Sequence, residues 1–195
     1  MIVKSKKIYF SIIAGKYKGK KLEIPPLKST RSTKSILREA FFNSVSFEIE
    51  GVEFIEVFGG SGSMGLEALS RGAKKAYFIE KNRDAFNILS KNCSMIDSDA
   101  TYAIYGDSFV EFKNLLDMTT GELMLYLDPP FDIRDGMDGI YDKIIDLISH
   151  VDINRTKLVA IEHMSKKDMP KFIGKFEKVK YKKFGKSAIS FYKVE

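Results

Sequence analysis

The chain has 195 residues, 44% apolar and 30% charged, a composition that supports one packed domain and argues against long disorder. No apolar run approaches the ~20 residues of a membrane span. The start MIVKSKKIYFSII leads into AGKYKGKK without a cleavage site, and the single Cys93 forms no internal disulfide, so a protein of the reducing cytoplasm is expected. Charge is sorted along the chain: residues 1–40 carry 11 Lys/Arg against 2 acids, residues 41–165 carry 11 against 21, and residues 166–186 carry 9 Lys against 2 acids. Basic ends around an acidic middle suit a polyanionic partner, because phosphate contacts need clustered cations.

In chain order, residues 8–13 and 20–24, joined by AGKYKG, read as a short basic β-hairpin stopped by Pro25-Pro26. TKSILREAFFNSVSF, from Thr33 to about Phe47, reads as a helix with Ile36, Ala40, Phe41 and Val45 at helical spacing and Ser32 or Thr33 as its N-cap. Strands and helices then alternate: EFIEVF, SMGLEALSRG, KKAYFIE, NRDAFNILSKNCSMI, TYAIYG, DSFVEFKNLLDM, ELMLYLD, DGIYDKIIDLISHV and KLVAIEH. FEKVKYKKFGKSAISFYKV closes the chain as two strands around Gly185. Near-continuous apolar strands between helices indicate a parallel sheet covered on both faces. The last hairpin is expected to add an antiparallel edge. The boundary near residues 25–32 divides a basic hairpin extension, 1–28, from an α/β body, 29–195.

Gly59, Gly60, Gly62 and Gly65 follow the strand FIEVF and open the next helix. Glycine allows a sharp turn and lets a ligand approach the main chain closely. Glu80 ends the following strand, about 20 residues on, where a carboxylate can accept hydrogen bonds from both ribose hydroxyls of a nucleoside. The pattern predicts a nucleoside cofactor at the carboxyl edge of the sheet, and NAD and S-adenosylmethionine (SAM) both fit it. LDPPFD supplies the second signal. Asp128, Pro129, Pro130 and Phe131 sit at the end of the fourth strand of the body. Two prolines make a stiff turn with outward carbonyls, Asp128 adds an acceptor, and Phe131 offers a stacking face. Such a turn can hold a planar amine and aim its nitrogen at an electrophile, which fits methyl transfer from SAM to the exocyclic amine of a base. Cys93 reads as a buried small residue. His150 and His163 lack cysteine partners, and no metal site is expected.

The order and spacing of these motifs resemble the RsmD family of 16S ribosomal RNA (guanine-N2) methyltransferases over most of the chain. IIAGKYKGKKLEIP is similar to the family's basic opening hairpin, RSTKSILREAFFNSV to its helix, VFGGSGSMGLEALSRGA to its SAM loop, and AYFIEKN and LDPPF to its ribose-acid and catalytic segments. The resemblance implies a Rossmann-like, seven-stranded, mostly parallel sheet with an antiparallel last strand. By similarity, Phe58, Gly59, Gly60, Ser61 and Gly62 line the SAM loop, and Glu56 stands where the family has Asp. Glu80 would bind the ribose and Asp107 the adenine amine, with Lys81 and Ser108 beside them. Asp128, Pro129, Pro130 and Phe131 would hold the target guanine. Lys18, Lys20, Lys21, Arg31, Lys34 and Arg38 are the candidates for RNA contact. Arg31-Ser32-Thr33 departs from the family's Arg-Pro-Thr, and Ser35 replaces a usual Asp.

The expected protein is a monomeric SAM-dependent enzyme acting on ribosomal RNA or on the assembling small subunit. Two alternatives stand beside it: an adenine-N6 methyltransferase acting on DNA or RNA, and a non-catalytic RNA-binding protein with a methyltransferase-like body. An NAD dehydrogenase leaves LDPPF unexplained.

Overall fold

A computed structural model describes residues 7–26, 31–130 and 139–194. Ile8–Ser11 (β1) and Lys21–Ile24 (β2) pair antiparallel as a separate two-stranded sheet. The body then runs Arg31–Ser44 (α1), Glu53–Glu56 (β3), Ser63–Ser70 (α2), Lys75–Glu80 (β4), Arg83–Ile96 (α3), Thr101–Tyr105 (β5), Ser108–Asp117 (α4), Leu123–Leu127 (β6), Ile140–Ser149 (α5), Thr156–Met164 (β7), Phe172–Ile173 (β8), Phe176–Phe184 (β9) and Ser187–Val194 (β10). Among the described residues, β3 to β10 form one sheet in the order β5-β4-β3-β6-β7-β10-β9-β8. It is parallel from β5 to β7, and the last three strands each run antiparallel to their neighbour.

This is the expected Rossmann-like sheet with one strand more. The closing hairpin adds the expected antiparallel edge beyond β7, with β10 innermost and β9 outside it; Ser187 lies opposite Met164 and Tyr192 opposite Val159. The eighth strand, β8, has only two residues, too short to show a period in the sequence. From β3 the chain moves to β4 on one side and, later, to β6 on the other. Loops leaving the tips of β3 and β6 therefore part, which opens a crevice at the carboxyl edge.

Strand alternation sorts the core. Ile55, Val57, Leu125, Leu127, Val159 and Ile161 face one side with α4 and α5. Phe54, Met124, Tyr126, Leu158 and Ala160 face the other, against Leu37, Phe41 and Phe42 of α1 and Val45 just after it. Phe41 sits edge-on to Tyr126, with ring centroids 5.1 Å apart. Burying each such side chain contributes about 2–3 kcal/mol, so α1 is fixed across β3, β6 and β7. The helix face differs from the expected one in that Ile36 is exposed, while Leu37 and Phe42 are buried. α1 also starts at Arg31, which places Ser32 and Thr33 inside it rather than at its N-cap. Asn82 caps α3 by accepting the Ala85 N–H, and Asp107 caps α4 by accepting the Phe109 N–H. Among the described residues no helix is long and apolar enough to cross a membrane.

The hairpin is seated on α2 and α3 by buried polar groups. The Glu67 carboxylate accepts the N–H groups of Ile13 and Ala14 at 2.8 and 3.1 Å. Asn92 accepts the Glu23 N–H and donates to the Glu23 and Ser61 carbonyls. Cys93, buried beside them, has its thiol pushed up to about 12 by desolvation, as suits a packing residue.

Candidate active site

The loop between β3 and α2 turns on glycine. Gly62 precedes the helix with φ 77°, a left-handed conformation that disfavours any side chain. Gly59 donates to the Ile79 carbonyl, and Gly60 donates to Glu80 Oε2 at 2.8 Å. Glu80 Oε1 accepts the Asn82 N–H at 2.7 Å. Each Glu80 oxygen thus holds one backbone donor and keeps acceptor capacity for a hydroxyl. A Cβ at Gly60 would meet nothing within 4 Å, so the loop's outer side has room for a ligand. One strand further, Asp107 Oδ2 lies 3.5 Å from Lys81 Nζ, and both are partly exposed. Phe58 packs edge-on against Phe109 at 5.8 Å, forming an apolar wall beside Asp107. Glu80, Asp107, Gly60 and Ser61 therefore suit a nucleoside laid along the tips of β3, β4 and β5.

Two of the residues grouped with the cofactor support the loop from beneath instead. Glu56 is buried, and its Oε2 accepts the Gly65 N–H at 2.8 Å, holding the start of α2. Desolvation raises its carboxyl to about 8, although the Gly65 and Met64 N–H groups pull the other way. Ser108 is also buried, and its hydroxyl donates to the Val57 carbonyl at 2.6 Å.

Asp128 follows the tip of β6, partly exposed, with Pro129 buried and Pro130 half-buried behind it. Phe131 and the side chain of Arg31 lie outside the described residues. Asp128 has close company that the motif alone does not reveal. Lys34 Nζ, from the first turns of α1, lies 2.5 Å from Asp128 Oδ2 and 3.3 and 3.4 Å from the two oxygens of Glu162. Tyr126 donates its hydroxyl to Glu162 Oε2 at 2.9 Å. Desolvation, reinforced by the Asp128 charge, holds the Glu162 carboxyl above its usual range. Desolvation lowers the Lys34 ammonium, but the two carboxylates outweigh it and the net shift is upward.

The RNA-contact set changes accordingly. Lys34 is half-exposed, and its ammonium is engaged by the acids at the strand tips. Arg38 is buried: its Nη2 donates to the Ser11 carbonyl at 2.8 Å, its Nε lies 3.7 Å from Glu67, and its guanidinium covers Phe10. It joins α1 to the hairpin and is withdrawn from RNA contact. Lys18, Lys20 and Lys21 are exposed on the hairpin, with Lys20 reaching the Met95 carbonyl near the end of α3. His163 does not reach the cleft, since its ring bonds Ser190 and the Met164 carbonyl. The sequence reading passed over Tyr126 and Glu162. A polar residue inside LMLYL or LVAIEH, in strands otherwise built for burial, was the available signal.

With this geometry in hand, the relatives can be placed. A family model described as conserved hypothetical protein 95 matches residues 10–193. The ribosomal RNA small subunit methyltransferase D of Haemophilus influenzae is 35% identical over 121 residues, 62% of this chain and 63% of that protein, so the match spans less than two thirds of the relative. Among solved structures, YhhF of Escherichia coli superposes with a TM-score of 0.76 at 26% identity, covering 96% of this chain and 98% of that one. The N-terminal domain of human METTL16, solved in complex with SAH, superposes with a TM-score of 0.68 at 17% identity, over 89% of this chain and 75% of that one, a likeness of fold. The α/β body therefore has the methyltransferase fold, and the chain belongs to the family described as conserved hypothetical protein 95, the RsmD family.

Proposed function

We propose that this protein transfers a methyl group from SAM to the exocyclic N2 amine of a guanine in small-subunit ribosomal RNA. The observation that carries the reading is the convergence of two acceptor sites on one crevice. Glu80 ends β4 and Asp128 follows β6, and these strands flank β3 and its glycine loop. When bound, SAM supplies an electrophilic methyl carbon on a sulfonium, and its sulfur keeps the electron pair of the C–S bond as the amine nitrogen forms the N–C bond. Glu80 would accept from the ribose hydroxyls and Asp107 from the adenine amine. Pro129 and Pro130 stiffen the turn that presents Asp128, so the acceptor is held in place before the base arrives. The Asp128 carboxylate accepts a hydrogen of the amine, fixes its direction and stands within reach of the surplus proton. Extrusion of the guanine from structured RNA is what gives these groups access to its edge. The names of the relatives support ribosomal RNA as the substrate class, and the resemblance of LDPPF to the family's catalytic segment supports the amine.

The test is to digest ribosomal RNA methylated with labelled SAM and identify the nucleoside by mass, in cells with and without the gene. N2-methylguanosine dependent on the gene is expected; N6-methyladenosine would replace the reading by its adenine alternative. Asp128→Ala is expected to lower kcat by about 10³-fold while SAM affinity by calorimetry stays within about threefold.

A further inference from the structure

The strand tips carry a second acid that the transfer scheme leaves unused. Glu162, at the end of β7, has a side chain only 1% exposed, whereas the Lys34 side chain above it is 48% exposed. One ammonium, outermost and on the first turns of α1, therefore covers two carboxylates from adjacent strands. Burying an acid beside another acid is costly unless donors satisfy both. Whatever displaces Lys34 on binding must itself bring neighbouring donors.

Nucleobase edges differ in this respect. Guanine presents N1–H beside its N2 amine, two adjacent donors. Adenine and cytosine each place an amine beside a bare ring nitrogen, and uracil places its single N–H between two carbonyls. We propose that Glu162 is a specificity-determining residue that accepts the guanine N1–H while Asp128 accepts from N2, with Lys34 standing in for that donor edge until the base arrives. Tyr126 contributes by orienting the Glu162 carboxylate through its 2.9 Å hydrogen bond. The assignment rests on the guanine-N2 reading and adds to it the reason adenine is refused: its bare N1 would face a carboxylate, acceptor against acceptor.

The experiment compares small-subunit RNA carrying guanine or 2-aminopurine at the mapped target. 2-Aminopurine keeps the N2 amine and lacks the N1 hydrogen. The wild type is expected to favour guanine in kcat/KM by at least about 100-fold. Glu162→Gln, whose amide can donate to a bare N1, is expected to shrink that preference by about tenfold or more, with part of the change being improved use of 2-aminopurine. Tyr126→Phe leaves both charges in place, frees Glu162 to turn, and shifts the preference in the same direction. A guanine preference unchanged in both variants, or a wild type that uses the two bases equally, overturns the Glu162 assignment and leaves the guanine-N2 reading intact. A wild type that leaves guanine N2 unmethylated overturns both.

Discussion

Glu56 shows how one buried carboxyl ties the site to pH. Its pKa is raised from an ordinary 4.5 to about 8 by burial, with Asp128 adding to the shift and Lys34 opposing it. Between those values the folded protein holds a proton that the unfolded chain has released, so stability falls as pH rises through the window and levels off above it. Glu56→Gln keeps an oxygen that can accept the Gly65 N–H and removes the titration. The stability of Glu56→Gln relative to wild type is expected to rise by about 3 kcal/mol between pH 5.5 and 8, measured by urea denaturation. Parallel pH profiles for the two proteins would mean that Glu56 ionises normally. At this scale the sequence was legible where chemistry is local. The glycine loop with Glu80, and the Asp128 turn, each lie within a short motif. The Lys34–Asp128–Glu162 cluster joins residues 94 and 128 positions apart and exists only because α1 lies across β6 and β7. Glu56 and Arg38 read as ligand-contact candidates although both are buried, because a sequence records charge but not burial.

The seating of the hairpin on α2 depends on a backbone contact. Lys16 N donates to the Ser70 carbonyl at 2.7 Å, Tyr17 N donates to Ser70 Oγ, and that hydroxyl donates to the Ala14 carbonyl. Gly15 lies so close that a Cβ there would stand 1.6 Å from the Ser70 carbonyl oxygen, and its φ of 85° disfavours a side chain independently. Gly15→Ala must therefore lift the turn from α2 while leaving the eight-stranded sheet intact. Tryptic cleavage at Lys16, Lys18, Lys20 or Lys21 is expected to speed up by about tenfold or more, with far-UV circular dichroism nearly unchanged. Cleavage at the wild-type rate would show that the turn does not sit on Ser70. Elements of this kind mark the limit of what periodicity shows. Strand–helix alternation from β3 to β7 was readable because β3, β4, β6 and β7 bury near-continuous apolar runs and α3, α4 and α5 each bury one periodic face. The insertion of β10 between β7 and β9 depends on pairing partners, and that leaves no period in either strand.

Over the whole molecule, the two basic ends occupy opposite edges of the sheet. α2 and α3 start at the carboxyl tips of the strands and run away from them, over about 12 and 21 Å at 1.5 Å per residue. The hairpin turn meets Ser70 and Met95, at or near the far ends of those helices. Lys18, Lys20 and Lys21 are thus set back from the crevice by the length of a helix. The β9–β10 turn lies at the other edge, because Ser187 pairs with Met164, two residues beyond Glu162. Lys183 and Lys186 are exposed there, whereas Lys182 is committed to the Ala40 carbonyl of α1. If a base enters at Asp128, its flanking phosphates must pass nearer the β9–β10 turn than the hairpin. The double change Lys183→Glu with Lys186→Glu is therefore expected to raise KM for RNA by about tenfold or more, and to flatten the salt dependence of binding by about two counterions. Lys18→Glu with Lys21→Glu should alter KM by less than about threefold, because screening over one to two Debye lengths weakens their pull at the crevice. The reverse order of effects would put the RNA path along α2 and α3, and the guanine would then have to reach Asp128 from the hairpin side.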